Sequence, residues 1–188
     1  MFELRHYIEA FSHLHTANVK GLKAPHKAVL LLAIIDLVEE SVIVSSRVEL
    51  SDELVYRFNQ VWHHYLGTSA IFTPDITKPY FHMQHESFWR LVGYDEKEMS
   101  MVAEDSPWIE CRKAIKDLPH GSYSIKAMRN AFAHAEIDNM LFRLLLNADA
   151  RAMLRVILIN EYLSNQPTKS MPNLTQLMMA LSLIALVA

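Results

Sequence analysis

The sequence is poor in cysteine and glycine, and both shortages exclude classes of protein. Its only cysteine is Cys111, and four glycines occur among 188 residues. A single cysteine excludes an internal disulfide and any zinc site built from several cysteines, and it fits a reducing, cytoplasmic setting. None of the glycines is spaced as a Walker loop or a dinucleotide fingerprint requires, so those nucleotide-binding classes are excluded as well.

An excess of positive charge is also lacking. Eighteen Lys and Arg residues face 21 Asp and Glu residues, which gives a net charge of −3. A nucleic-acid partner would therefore need a local basic patch rather than a basic surface overall. No basic-then-apolar leader opens the sequence, and the apolar run over residues 177–188 is shorter than the ~20 residues of a membrane-spanning helix. We expect a cytoplasmic protein without a membrane anchor.

A basic loop followed by a very apolar segment is the most distinctive stretch. The loop, Lys20-Gly-Leu-Lys-Ala-Pro-His-Lys27, leads into residues 29–38, which are apolar on almost every side. Such a pattern predicts a buried central helix, and a proline suits its first turn. The helix would hold Lys23, His26 and Lys27 beside the free amides of its N-terminus, where anions such as phosphate bind. The alternative is that these residues are simply solvated surface.

Periodicity and capping residues predict a mainly helical α+β protein. A short strand or extended connector is expected over residues 41–50, and a small antiparallel β-hairpin is expected from strands at 79–83 and 87–92 with a turn at 84–86. The predicted helices cover residues 2–15, 26–40, 51–66, 106–118, 124–134, 136–146 and 149–163. We assign residues 1–164 to one domain and residues 165–188 to an apolar C-terminal tail, whose composition fits core packing, a partner helix or an altered terminus.

Enzyme chemistry is weakly represented in the sequence. His82 and His85 have a zinc-like spacing, but the remaining ligands would have to come from distant histidines without help from cysteine. Cys111 lies within a predicted helix, without a glycine-rich elbow, so a structural thiol is favoured over a nucleophile. We predict no metal, no cofactor and no catalytic residues. The residues by themselves favour a binding module over an enzyme.

Two motifs together resemble a known family. The basic loop with its Leu-Leu-Leu-Ala-Ile-Ile-Asp-Leu continuation, and Pro79-Tyr-Phe-His-Met-x-x-x-x-Phe-Trp89, are similar to the DNA sulfur-recognition domain of ScoMcrA-like HNH restriction endonucleases. The similarity extends through residues 135–159 and covers about residues 1–164. Family members bind phosphorothioate DNA, in which sulfur replaces a non-bridging phosphate oxygen. This sequence departs from the family at Ala28, where a proline is usual, and its last two dozen residues lack an HNH arrangement.

The resemblance implies a DNA-binding function and a set of site residues. Pro79 takes the place of the family's sulfur-contacting proline, Tyr80 would add an aromatic wall, and His82 would donate to a phosphate or a base edge. The partner implied is double-stranded, phosphorothioate-modified DNA, with cleavage left to a nuclease domain that is missing or on another chain. The predicted DNA-binding residues are Lys20, Lys23, His26, Lys27, Lys78, Pro79, Tyr80 and His82. Two alternatives stand beside this hypothesis: residues 79–81 form a plain core strand, or the protein is a protein-interaction or regulatory helical module.

Overall fold

A computed structural model describes residues 2–68, 71–93 and 124–166 and shows a mainly helical α+β fold with small antiparallel sheets. The described helices are α1 (Phe2–Ser12), α2 (His26–Glu39), α3 (Asp52–Leu66), α4 (Thr77–His82), α5 (Ile125–Ala131), α6 (Asn139–Leu145) and α7 (Ala148–Tyr162), with a 3₁₀ turn at Met83–His85. The described strands are β1 (Asn18–Val19), β2 (Leu22–Lys23), β3 (Arg47–Val48), β4 (Trp89–Gly93) and β5 (Phe132–Ile137). The predicted fold class is confirmed.

Helix α2 is the centre of the core, as its sequence predicts. Every residue from Lys27 to Ile35 is buried, and α2 packs against α3, α4, α6 and α7. A helix that is apolar all round can bury all of its faces only when other elements surround it. The position of α2 in the core therefore fixes where its N-terminal residues lie.

Helix α3 begins and ends as predicted. The Ser51 hydroxyl accepts a hydrogen bond from the backbone N–H of Leu54, which is a standard N-cap. Gly67 closes the helix with a positive φ of 52°, and its N–H donates to the carbonyl of His63. These two signals bracket an amphipathic helix that buries Leu54, Phe58 and Trp62 against the core.

The main sheet has the order β3-β5-β4, and both strand pairs are antiparallel. Arg47 pairs with Glu136 across β3 and β5, and Arg90 pairs with Glu136 across β4 and β5. A separate two-residue hairpin joins β1 and β2, with Lys20 and Gly21 at positive φ in the turn. Glycine favours that conformation, so Gly21 allows the basic loop to turn sharply.

The predicted hairpin over residues 79–92 is wrong in its first strand. Residues 77–82 form α4 instead, and only the second segment is a strand, β4. The Asp75 carboxylate accepts hydrogen bonds from the N–H and the hydroxyl of Thr77, at 3.0 and 2.6 Å, which starts the helix. Pro79 then falls in the first helical turn, where its missing N–H costs nothing. Local capping outweighed the strand preference of aromatic residues.

Two further boundaries differ from the prediction. The helix expected over 124–134 ends at Ala131, and the helix expected from Glu136 begins only at Asn139, because residues 132–137 form the central strand β5. Phe132, Ala135 and Ile137 are buried in that strand, so its partners on both sides decide its conformation. The predicted strand near residues 41–50 is confirmed only at Arg47–Val48.

Some predictions fall outside the described residues. They are the helix over 106–118 with Cys111 and the apolar tail from residue 167 onward. Helices α1 and α7 follow their predicted ranges within a few residues. Among the described helices, none combines the length and apolar character needed to cross a membrane.

Candidate functional site

A surface cavity of about 480 Å³ collects residues from both sequence motifs. It lies between the β1–β2 hairpin, the N-terminus of α2, and the segment formed by α4 and the 3₁₀ turn. Its lining consists of His15, Thr16, Ala17, Val19, Ala24, His26, Lys27, Phe72, Lys78, Pro79, His82 and His85. Five of the eight predicted DNA-binding residues are therefore brought together: His26, Lys27, Lys78, Pro79 and His82.

Lys27 is a buried member of the lining, not the solvated lysine that a basic loop predicts. Its side chain is 7% exposed, and its Nζ lies 2.5 Å from Glu86 Oε1. Burial lowers the pKa of Lys27, while the hydrogen bond to Glu86 and that carboxylate's charge act in the opposite direction. The charge of Lys27 is thus largely neutralised inside the protein. This corrects the expectation that Lys27 is free to neutralise a phosphate.

Glu86 is held by two other donors besides Lys27. The backbone N–H of His15 donates to Glu86 Oε1 at 2.9 Å, and His15 Nδ1 donates to Oε2 at 3.1 Å. The carboxylate is 5% exposed, so these hydrogen bonds offset much of the cost of its burial. Through these hydrogen bonds Glu86 connects three parts of the chain: the segment after α1, the start of α2 and the segment after α4.

His26 lines the cavity, and its ring also contacts other groups of the protein. Its Nε2–H donates to the carbonyl of Thr73 at 2.9 Å, and its ring centre lies 4.8 Å from that of Trp62 and 5.9 Å from that of Phe72. Burial lowers the pKa of His26 below its usual value, and the hydrogen bond to Thr73 opposes that shift. His26 is therefore neutral near pH 7 and contributes an aromatic surface more than a charge.

His82 and His85 form a second pair of rings at the cavity. Their ring centres are 5.8 Å apart, with planes inclined by 20°. Burial is the main cause that lowers the pKa of His82, and the positive charges of His85, Lys27 and Lys78 lower it further. His82 therefore contributes an imidazole ring to the lining of the cavity.

Pro79 and Lys78 complete the wall on the side of α4. Pro79 is buried within the protein yet contributes to the cavity lining. Lys78 is 49% exposed, and its Nζ lies 3.6 Å from Asp75 Oδ2. An exposed ion pair of this kind is worth little, so Lys78 can exchange it for a phosphate at small cost.

The structure does not place the other three predicted residues in the lining. Lys20 lies in the exposed turn next to Val19, and Lys23 pairs with Glu161 at 3.1 Å above the ring of Tyr162. Tyr80 is 1% exposed, and its hydroxyl donates to the carbonyl of Val48 at 2.8 Å. Because that side chain points into the core, its predicted role as a wall of the sulfur site is corrected.

Sequence reasoning missed several residues that shape the cavity. Phe72 and His15 line the cavity, yet neither belongs to the two motifs. Glu86 occupies an undefined position of the second motif, so no motif residue marks it. The one available signal is that His82 and His85 are three residues apart, which places their side chains together on a helical turn but not on a strand.

Histidine burial leads to a prediction for stability against pH. Unfolded histidines bind protons near their ordinary pKa of about 6.5, whereas His26 and His82 bind them less readily in the folded state. The free energy of unfolding should therefore fall as the pH decreases through about 6.5. Urea unfolding of wild type and His82→Gln across this range checks it. The variant should lose less stability on acidification, while His63→Gln, on the exposed side of α3, should follow wild type. Parallel curves for all three proteins would contradict the burial argument.

Within the described part of the chain, no group of three or more His, Cys, Asp or Glu side chains is placed to hold a metal ion. The arrangement defines a cavity with a mainly apolar lining, several imidazole rings and an exposed lysine. No protein-family model matches the sequence, and no curated protein matches it as a relative. Function has to be inferred from the cavity and from the two motifs that line it.

Proposed function

We propose that this protein is a DNA-binding module that recognises phosphorothioate-modified DNA. The observation that carries the proposal is that both motifs contribute residues to one cavity. Lys27 of the first motif and Pro79 of the second line it, although they are 52 positions apart in the sequence. Both motifs resemble those of the DNA sulfur-recognition domains. Their residues share the lining even though the second motif begins in a helix rather than a strand.

The cavity has the chemistry that a sulfur-substituted phosphate requires. Sulfur is larger, more polarisable and less strongly hydrated than oxygen, so it gains dispersion contacts against apolar groups such as Pro79 and Phe72. An ordinary phosphate oxygen in the same place would lose water without full replacement, at a cost of about 1–3 kcal/mol. That difference corresponds to roughly ten- to hundredfold in affinity.

Attraction of the DNA backbone has two local sources at this cavity. Lys78 supplies an exposed positive charge beside the cavity. No described side chain caps the N-terminus of α2, where His26 and Lys27 lie, so its first amides are available to an anion. The protein's net charge of −3 restricts DNA to this local patch. We propose that cleavage belongs to a separate nuclease unit and that this chain supplies recognition.

A protein-interaction module is the second candidate function. Met153 and Val156, three positions apart on α7, are about half exposed and lie on one helical face that another protein could cover. The two functions differ in their dependence on salt. Binding of DNA should weaken steeply as salt rises because counterions are released from phosphates, whereas an apolar protein contact should change little.

Titration of one duplex at several salt concentrations therefore tests the proposal. A linear fall of log K with log salt supports binding through phosphate neutralisation. Absence of measurable DNA binding at low salt, or an affinity that does not depend on salt, would contradict it.

Lys78→Ala should weaken binding to modified and unmodified DNA by similar factors, because phosphate contacts position a protein and carry little discrimination. The salt slope should become shallower by about one unit. Lys126→Ala removes another exposed lysine, from α5 and outside the cavity lining, and serves as the matched control. The measurement is a paired salt titration of both variants on both duplexes. Identical slopes for the two variants would mean that Lys78 does not touch the backbone.

A further inference from the structure

Glu86 lines a second cavity, next to the first, and occupies an undefined position of the second motif. The second cavity, of about 550 Å³, borders the first through His15 and His85. Its lining consists of His6, Glu9, Ala10, His13, His15, His85, Glu86, Ser87 and Phe88. Glu86 therefore lines the second cavity and accepts a hydrogen bond from Lys27, which lines the first.

The contacts of Glu86 determine how much charge the first cavity presents. Its Oε1 accepts from Lys27 Nζ at 2.5 Å and from the His15 N–H at 2.9 Å, and its Oε2 accepts from His15 Nδ1 at 3.1 Å. Without this carboxylate, an ammonium group would face the cavity with no neighbouring negative charge to compensate it. With it, the cavity contains a lysine whose charge is already matched.

We propose that Glu86 is a specificity-determining residue for DNA recognition at this cavity. Glu86 neutralises Lys27, so the bound phosphate does not receive a hydrogen bond from a free ammonium group. Apolar contact with sulfur then contributes more to binding than hydrogen bonding to oxygen. Oxygen is the smaller and stronger hydrogen-bond acceptor, and a free ammonium group would favour it most. This inference rests on the proposed function and names the residue that sets its preference.

A purely structural role for Glu86 predicts a different outcome. A buried ion pair that only stabilises the fold would, when altered, change the free energy of unfolding and leave the affinity ratio of the folded protein unchanged. A specificity role moves the affinity ratio between the two duplexes and the salt slope. These two quantities therefore separate the roles.

The experiment compares wild type with Glu86→Gln on identical duplexes with and without one phosphorothioate, at several salt concentrations. Glutamine keeps the shape of the side chain and one acceptor oxygen, and it removes the negative charge that matches Lys27. Affinity for unmodified DNA should rise about threefold to tenfold, and the preference for sulfur should fall by a similar factor. The salt slope should steepen by about one unit, because a bound phosphate then supplies the negative charge that keeps the buried Lys27 protonated.

The double variant Lys27→Met with Glu86→Gln is the matched control. It removes both charges, so the net charge of the cavity stays as in wild type, and its salt slope should equal that of wild type. The double variant also provides a test if Glu86→Gln alone fails to fold. A slope shallower by about one unit in the double variant would show that Lys27 already contacts phosphate in wild type, and would overturn the inference.

The failure of this inference can be distinguished from the failure of the proposed function. If wild type prefers phosphorothioate DNA and a folded Glu86→Gln keeps the same preference and salt slope, only the role of Glu86 is overturned. If wild type binds neither duplex, or binds both equally, the proposed function is overturned and this inference with it.

Discussion

Replacing Pro79 by serine is expected to lower the preference for phosphorothioate DNA over ordinary DNA by about tenfold or more. Pro79 is buried and presents an apolar ring to the cavity that also contains Lys78 and His82. Serine removes part of that apolar wall and adds a hydroxyl that can hydrogen-bond a phosphate oxygen. Both changes favour oxygen, so affinity for unmodified DNA should stay level or rise slightly.

The position of Pro79 in the first turn of α4 makes this substitution interpretable. Proline contributes no N–H to the helix there, and serine can adopt the same backbone conformation, so little stability should be lost. A paired titration of wild type, Pro79→Ser and Pro79→Ala on both duplexes gives the measurement, with circular dichroism as a check of folding. Alanine, which lacks the hydroxyl, should reduce the preference less than serine. A folded serine variant that keeps its full preference would place the sulfur site elsewhere.

Replacing Lys27 by methionine should destabilise the protein by about 3–5 kcal/mol at neutral pH. The substitution leaves the Glu86 carboxylate buried with His15 as its remaining partner, and an uncompensated buried charge is costly. The basic loop taken by itself predicts a different result, a loss of DNA affinity with no loss of stability. The free energy of unfolding in urea distinguishes the two outcomes.

The double variant Lys27→Met with Glu86→Gln is again the control, because it also removes the buried negative charge of the Glu86 carboxylate. It should recover much of the lost stability, since replacing both members of a buried pair is far less costly than removing one. Lys23→Met offers a second comparison, because Lys23 forms an exposed pair with Glu161 and should change stability little. If Lys27→Met were as stable as Lys23→Met, the buried pair would not contribute as the contacts indicate.

Much of the fold could be predicted from the sequence because its strongest signals are local. The apolar run after Lys27 predicted the buried helix α2, and the Ser51 cap with the Gly67 stop predicted the bounds of α3. The apolar periodicity of residues 149–163 likewise predicted α7. In each case the side chains that decide the element lie within it.

The errors occurred where partners distant in sequence decide the structure. Residues 132–137 form a strand because β3 and β4 pair with them from either side, and neither partner is adjacent in sequence. Tyr80 points into the core because its hydroxyl reaches the carbonyl of Val48. Five of the eight predicted site residues do meet in one cavity, yet the burial of Lys27 depends on Glu86, a contact between positions 59 apart that no local pattern reveals.

The measurement that tests the central claim most directly compares two identical duplexes, one of which carries a single phosphorothioate, against the wild-type protein at one salt concentration. The proposed cavity chemistry predicts at least about tenfold tighter binding to the modified duplex, because an ordinary oxygen would be desolvated without compensation. Equal affinity for the two duplexes would contradict recognition of sulfur by this protein.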